Sequence, residues 1–176
     1  MKYSHHVHRV VLCALFAALT CLATLVIQVP SPLTGYINLG DCLVLFSAFL
    51  LGPLYGSVAA GVGSALADML SGYAQYAAGT LIIKALVAFV AVLLLRVLSR
   101  VMPSFFCRLL ASVLAECIMI FGYFAYDAWI IGYGWGAAAS IPANCVQAGI
   151  GVAVALLLVS LFRKNTYIAN LMVDIQ

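Results

Sequence analysis

Long apolar runs, separated by short breaks rich in Gly, Pro and polar residues, occupy most of the chain. A helix rises about 1.5 Å per residue, so about 20 apolar residues cross the roughly 30 Å hydrocarbon core of a bilayer. The breaks predict helices over residues 9–28, 39–51, 54–70, 77–98, 106–131 and 137–162. The second helix is short for a complete crossing, so we expect it to tilt or to fold back into the bilayer from a loop.

Proline marks the boundaries between the first three helices. Pro30 and Pro32 end the first helix, and Gly52-Pro53 separates the second from the third. The first apolar run follows a basic flank, which is also the arrangement of a signal peptide. It is long enough to span, no cleavage site of small residues closes it, and further apolar segments follow. We therefore expect it to be retained as the first helix.

Composition excludes a soluble globular protein. Of 176 residues, 66% are hydrophobic and only 7% are charged, whereas soluble domains carry about 25% charged residues. A surface so poor in charge requires lipid as its solvent. We predict a single all-α, polytopic transmembrane domain over residues 1–176.

The positions of Lys and Arg predict the orientation, because cytoplasmic loops carry an excess of both. Seven of the eight basic residues lie before the first helix, around the link between the fourth and fifth, or after the sixth. They are Lys2, Arg9, Arg96, Arg100, Arg108, Arg163 and Lys164. With six crossings these regions share one side, so we expect both termini in the cytoplasm. The loops at 29–38, 71–76 and 132–136 then face outward.

Ionisable residues inside spans are expensive and usually line a cavity or pair with one another. The candidates are Asp41, Asp68, Lys84, Glu116 and Asp127. Chain direction places all of them except Glu116 near the outer face, and Glu116 near mid-depth. Asn144 and Gln147 reach the same outer level from the last helix. We expect these polar groups to converge.

Lys84 has two compatible interpretations. It forms a structural ion pair with Asp68 or Asp127, or it contacts a bound ligand.

Aromatic residues gather at the same outer level. They are Tyr36, Tyr73, Tyr76, Tyr123, Tyr126, Trp129, Tyr133 and Trp135. An interfacial belt explains any one of them. Together, above buried polar groups, they also suit the enclosure of a planar heterocycle.

No pattern for catalysis or cofactor binding is visible. The chain has no GxxxxGK[ST] motif, so an ATP-driven cycle needs separate ATPase subunits. His5, His6 and His8 fit a solvated tail better than a metal site. We expect no enzyme activity, no cofactor and no metal site.

Small residues on two helices allow other helices to approach closely. Ala14 and Ala18 form a small-xxx-small pair on the first helix, for packing inside the bundle or against a partner. The third helix has a denser small face, which we expect to pack internally. Its members are Gly56, Ala60, Gly63, Ser64 and Ala67.

Specific motifs between residues 38 and 84 carry a family resemblance. They are Asn38-Leu39-Gly40-Asp41, Gly52-Pro53, Gly56, residues 61–68 (GVGSALAD), Gly72-Tyr73, Tyr76, Thr80 and Lys84, and the last helix adds Pro142, Asn144, Gln147, Gly151 and Ala155. Together they resemble the substrate-binding S components of energy-coupling factor (ECF) vitamin transporters. The closest branch is the riboflavin type, which includes proteins assigned to pyridoxine and hydroxymethylpyrimidine.

The resemblance implies a six-helix subunit in a prokaryotic cell membrane that captures a vitamin from outside. Its partners would be a membrane T component and two cytoplasmic ATPases. The family's AxxxA face on the first helix implies that Ala14 and Ala18 meet the T component.

The resemblance also implies a binding site and an order of substrates. The implied substrate-binding residues are Tyr76, Thr80, Lys84, Tyr126, Asp127, Asn144 and Gln147, with Asp41 and Asp68 either structural or part of the site. Pyridoxine or hydroxymethylpyrimidine is expected first, and riboflavin next.

One alternative stays open from the residues themselves. A small proton-coupled carrier could use Asp68, Lys84, Glu116 and Asp127 as a relay.

Overall fold

The computed structural model of the chain describes residues 2–30 and 35–165, with side chains from residue 6 onward. Its helices are α1 (Lys2–Val26), α2 (Gly40–Leu70), α3 (Ala74–Leu98), α4 (Ser104–Ala125) and α5 (Ile141–Phe162). Within the described residues, five helical segments are long and apolar enough to cross a membrane. The prediction of an apolar helical membrane protein is confirmed, but the number of helices is five rather than six.

The count of six was wrong because Gly52-Pro53 does not separate two elements. Residues 40–70 form one helical element in which Gly52 leaves helical geometry, with φ 82° and ψ −177°. Glycine adopts a positive φ at little cost, and the proline that follows it has no N–H to continue the helical hydrogen bonds. The break therefore occupies a single residue.

The chain nevertheless reverses direction at this break. A Cβ added to Gly56 would lie 2.6 Å from the Cα of Ala48, eight residues earlier, which a straight helix would hold about 12 Å away. The first arm of α2 (residues 40–51) therefore packs antiparallel to the second arm (residues 53–70). The first arm is about 18 Å long, too short for the roughly 30 Å hydrocarbon core, as the sequence indicated.

Small residues bring α1 and α3 against the second arm of α2. Gly63 packs against the backbone carbonyl of Ala17 on α1, and a Cβ on Gly61 would lie 2.7 Å from the carbonyl oxygen of Leu81 on α3. The whole small face predicted for internal packing is buried. Its missing side-chain volume lets these backbones approach closely.

Two short strands, absent from the all-α prediction, follow α1. β1 (Gln28–Pro30) and β2 (Tyr36–Asn38) pair antiparallel, with Val29 opposite Ile37. Each strand has three residues, too few to show the alternating pattern by which strands are recognised. Pro32, which was predicted to end the first helix, lies outside the described residues.

The strands are fixed to the helices by side-chain hydrogen bonds. Gln28 Nε2 donates to Ser71 Oγ at 2.6 Å, and the Asn38 backbone N–H donates to Gln147 Oε1 at 2.9 Å. We call this end of the bundle, with β1, β2 and residues 71–73, the hairpin end.

Other predicted boundaries also differ from the structure. α1 starts at Lys2, so the predicted histidine tail is helical; His6 and His8 are exposed on it. α4 continues into a π-helical turn (Tyr126–Ile131), and a 3-10 helix (Gly134–Ser140) precedes α5. π turns occur mostly as single-turn insertions in α-helices and are frequent at functional sites, and the hydrophobic pattern does not reveal them.

A buried ion pair joins α2 to α3. Lys84 on α3 is 2% exposed and donates to the carboxylate of Asp41, which is fully buried in the first arm of α2. Gln147 Nε2 on α5 donates to the second carboxylate oxygen at 2.6 Å. The predicted partners of Lys84, Asp68 and Asp127, were wrong: Asp41 lies at the same level and pairs with it, and the depth of a residue does not fix the direction in which its side chain points around the helix.

We predict that Gly56→Ala destabilises the protein by about 1–3 kcal/mol, because the new Cβ would overlap backbone atoms of the first arm. Thermal unfolding of the purified protein in detergent measures the change. The matched control is Gly149→Ala on α5, where nothing lies within 4 Å of the added carbon. Equal stability of the two variants would contradict the close packing of the arms.

We also predict that Lys84→Met destabilises the protein more than the double variant Lys84→Met/Asp41→Asn. The single change leaves a buried carboxylate without its cation, a loss of about 3–5 kcal/mol, whereas replacing both partners removes the charges together. Thermal unfolding compares the two variants. A double variant less stable than the single one would show that the pair is not the main interaction of Lys84.

Candidate functional site

A cavity lies at the hairpin end, among the polar residues predicted to converge there. It encloses about 490 Å³ of empty space, a volume that includes the open mouth of the cavity. Its lining residues are Gly35, Tyr36, Asn38, Asp68, Tyr73, Tyr76, Thr80, Tyr123, Asp127, Ser140, Asn144 and Gln147. They come from β2 and its preceding turn, α2, α3 and the turn before it, α4, the π turn, the 3-10 helix and α5.

Five of the seven predicted substrate-binding residues line this cavity. They are Tyr76, Thr80, Asp127, Asn144 and Gln147. Asp68, predicted as structural or part of the site, lines it as well. The convergence expected from chain direction is therefore present, while contact with a ligand stays a prediction for each residue.

The other two predicted residues, Lys84 and Tyr126, lie behind the lining. Lys84 is held by Asp41, and its Nζ lies 5.4 Å from the ring centroid of the lining residue Tyr123. Tyr126 Oη donates to the carbonyl oxygen of Gln75 at 2.7 Å, and its ring packs 5.8 Å from that of Tyr76. Both residues therefore support lining side chains.

Glycine at position 79 is needed for the placement of Tyr126. A Cβ added to Gly79 would lie 2.5 Å from an atom of the Tyr126 ring. The ring therefore packs directly on the backbone of α3.

Asp127 is fixed from two directions. Tyr76 Oη donates to Asp127 Oδ1 at 2.7 Å, and Ser140 Oγ lies 3.4 Å from Oδ2. The carboxylate is 3% exposed. Because Asp127 belongs to the π turn, its direction could not be derived from ideal helical spacing.

Asp68 connects the second arm of α2 to the strands. Tyr36 Oη donates to Asp68 Oδ1 at 2.7 Å, and the rings of Tyr36 and Tyr73 lie 5.1 Å apart. Burial, followed by the nearby Asp68 carboxylate, raises the pKa of the Tyr36 hydroxyl above its ordinary value. The hydroxyl thus remains a hydrogen-bond donor to Asp68 at neutral pH.

Thr80 and Tyr123 form the wall between the cavity and the ion pair. Their hydroxyl oxygens are 3.0 Å apart, joining α3 to α4.

Glu116 does not line the cavity. It is 1% exposed, and within the described part of the chain neither carboxylate oxygen has a hydrogen-bond partner. A proton relay through Glu116 thus has no hydrogen-bonded connection to Asp127 among these residues.

Asn38 and Ser140 were not among the predicted site residues, although each carries a local signal. Asn38 Oδ1 accepts the Gly40 N–H at 2.8 Å, a typical turn interaction of asparagine. Ser140 immediately precedes α5, where serine and an early proline are common. Neither signal indicates that the side chain faces a cavity. Tyr36, Tyr73 and Tyr123 belonged to the aromatic group expected to suit the enclosure of a planar heterocycle, but they were not among the named substrate-binding residues.

Comparisons with known proteins agree with this architecture. A family model described as "ECF-type riboflavin transporter, S component" matches residues 4–164. An uncharacterised protein of Pyrococcus woesei is 35% identical over 134 residues, which cover 76% of this chain and 86% of that protein. A structure titled "Structure and mechanism of the S component of a bacterial ECF transporter" matches with a TM-score of 0.64 and 16% identity, over 93% of this chain and 98% of that one. The structural match shows a shared fold, and the family match covers almost all of the sequence. The chain therefore belongs to the family of ECF-type riboflavin transporter S components.

Proposed function

We propose that this chain is the high-affinity substrate-binding subunit of an ECF-type transporter that takes up a B-type vitamin or its precursor. The observation that carries this proposal is the cavity at the hairpin end, lined by Thr80, Asn144 and Gln147 among other polar groups. The chain itself binds and does not catalyse; ATP hydrolysis belongs to separate subunits.

The substrates we propose are pyridoxine or hydroxymethylpyrimidine first, and riboflavin next. Each is a planar heterocycle with hydroxyl groups. The four lining tyrosines supply flat apolar surfaces. Asn144 and Gln147 supply amide donors and acceptors for ring nitrogens and hydroxyl groups.

The proposed orientation places the hairpin end outside the cell and both termini in the cytoplasm of a prokaryote. The segments 71–76 and 132–136 at this end contain no Lys or Arg, whereas Arg96, Arg100 and Arg163 lie toward the opposite end. This distribution follows the excess of positive charge in cytoplasmic loops. The cavity then receives its ligand from outside.

The proposed partners are a membrane T component, which docks on α1, and two cytoplasmic ATPases. Ala14 and Ala18 are exposed on α1, while Phe16 and Thr20 are buried on its other side. The small-residue pair thus does not take part in the internal packing. It remains available for close approach by another helix.

We predict that the purified protein binds at least one B-type vitamin or precursor with a Kd of about 1 µM or tighter, and that Asn144→Ala weakens this binding about tenfold. The loss corresponds to one or two hydrogen bonds. Isothermal titration in detergent against a vitamin panel measures both effects. Cys145→Ala, an exposed neighbour outside the cavity lining, is the control. No binding of any panel member would refute the proposed function.

We predict that Ala14→Leu/Ala18→Leu leaves ligand affinity within about twofold and abolishes vitamin uptake. Two added leucine side chains would hold the T component away from the backbone of α1. Uptake by cells that express the complete transporter is the measurement. Ala78→Leu/Ala153→Leu, on exposed positions of α3 and α5, is the matched control. Normal uptake by the α1 variant would refute the docking face.

A further inference from the structure

The charged groups in the wall of the cavity all have the same sign. Among the lining residues that the structure describes, Asp68 and Asp127 carry carboxylates, and none is Lys, Arg or His. Lys84 is close, but Asp41 neutralises it in a buried ion pair. The charges of that pair cancel, and the cavity keeps two negative groups.

One carboxylate oxygen of Asp68, Oδ2, is available to accept a hydrogen bond from a ligand. Asp68 is 7% exposed, Tyr36 donates to Oδ1, and the Thr80 hydroxyl lies near the carboxylate, but Oδ2 is buried with no hydrogen bond of standard geometry in residues 2–30 and 35–165. A buried carboxylate oxygen without a donor is costly. A ligand that brings a donor, above all a charged one, would remove that cost.

Asp127 is also incompletely satisfied. Oδ1 receives a short hydrogen bond from Tyr76, but the contact of Oδ2 with Ser140 is long, at 3.4 Å. Each carboxylate oxygen has two lone pairs, so both aspartates can accept further hydrogen bonds.

The aromatic residues of the lining, like the carboxylates, attract positive charge. Tyr36, Tyr73, Tyr76 and Tyr123 line the cavity. The face of an aromatic ring carries negative electrostatic potential and attracts cations within about 6 Å of its centroid. Carboxylates and tyrosine rings together therefore favour a positively charged ligand over a neutral or anionic one.

We propose that the cavity binds a nitrogen heterocycle that carries a positive charge, with the cationic or N–H-bearing group on Asp68 and the ring among the tyrosines. The inference rests on the proposed function and narrows its substrate class. It ranks basic aminopyrimidine and pyridine compounds above riboflavin, and it disfavours phosphate esters, which two carboxylates would repel.

The first test compares charged and uncharged probes on the wild-type protein at neutral pH. Thiamine and pyridoxamine are the cationic probes, and pyridoxine and riboflavin are the probes without net charge; pyridoxamine and pyridoxine share a ring and form a matched pair. We expect pyridoxamine to bind at least about tenfold tighter than pyridoxine, and the tightest ligand to be a cation. Tightest binding of pyridoxine or riboflavin would overturn this inference and leave the proposed function intact. Failure of every probe, and of hydroxymethylpyrimidine tested beside them, would overturn both.

The second test removes the charge of the aspartate at constant size. Asp68→Asn should weaken binding of the tightest cation at least about tenfold and change pyridoxine binding less than about threefold. Glu116→Gln is the control, because it removes a buried carboxyl outside the cavity and should leave cation binding within about twofold. If Asp68→Asn does not fold, Asp127→Asn replaces it with the same expected selectivity. Equal losses for cation and neutral ring would refute a role for the charge.

Discussion

The ion pair between Asp41 and Lys84 is the interaction on which the hairpin end depends. Both groups are buried inside the bundle of apolar helices, where an unpaired charge has no water to solvate it. The pair can form only because α2 reverses at Gly52 and carries Asp41 back beside α3. A substitution that straightened this bend would separate the two charges.

The side-chain amide of Gln147 connects this ion pair to the cavity wall. Gln147 donates to Asp41 and accepts from the backbone of Asn38, so α2, α3, α5 and β2 are held in one connected set of hydrogen bonds. Gly151 allows this arrangement, because a Cβ there would lie 2.8 Å from Cβ of Asp41. The lining residue Gln147 is thereby oriented before any ligand arrives, which lowers the cost of ordering it on binding.

The use of Lys84 in this pair also decides the electrostatics of the site. A free lysine in the wall would favour anionic ligands, whereas a neutralised one leaves Asp68 and Asp127 as the dominant charges. The fold therefore uses its one intramembrane lysine for architecture, and the cavity chemistry follows from what remains.

Sequence reasoning identified the level of the site but not every contact within it. Chain direction and hydropathy fix the depth of a residue, so Asp68, Asp127 and Asn144 were correctly expected near one another. Depth does not fix the direction in which a side chain points around its helix. Lys84 was therefore given the wrong partners, and Tyr126 was expected in the lining although its ring packs behind Tyr76.

Three structural features are too short or too local for the hydrophobic pattern of the sequence to predict them. The break at Gly52 is one residue long, so two predicted helices proved to be the arms of one element. The strands β1 and β2 have three residues each. The π turn at Tyr126–Ile131 changes the direction of Asp127 without any change in composition.

Access to the cavity from outside the cell is the most direct test of the proposed orientation and binding role. Asn144→Cys would be placed in a background with Cys145→Ser, since Cys145 is the native cysteine that is exposed. Whole cells would then be treated with a membrane-impermeant maleimide, with and without the tightest-binding vitamin at a concentration that saturates the Asn144→Cys variant. We predict labelling from outside that the vitamin prevents. Labelling confined to inverted vesicles, or labelling unaffected by the vitamin, would contradict it.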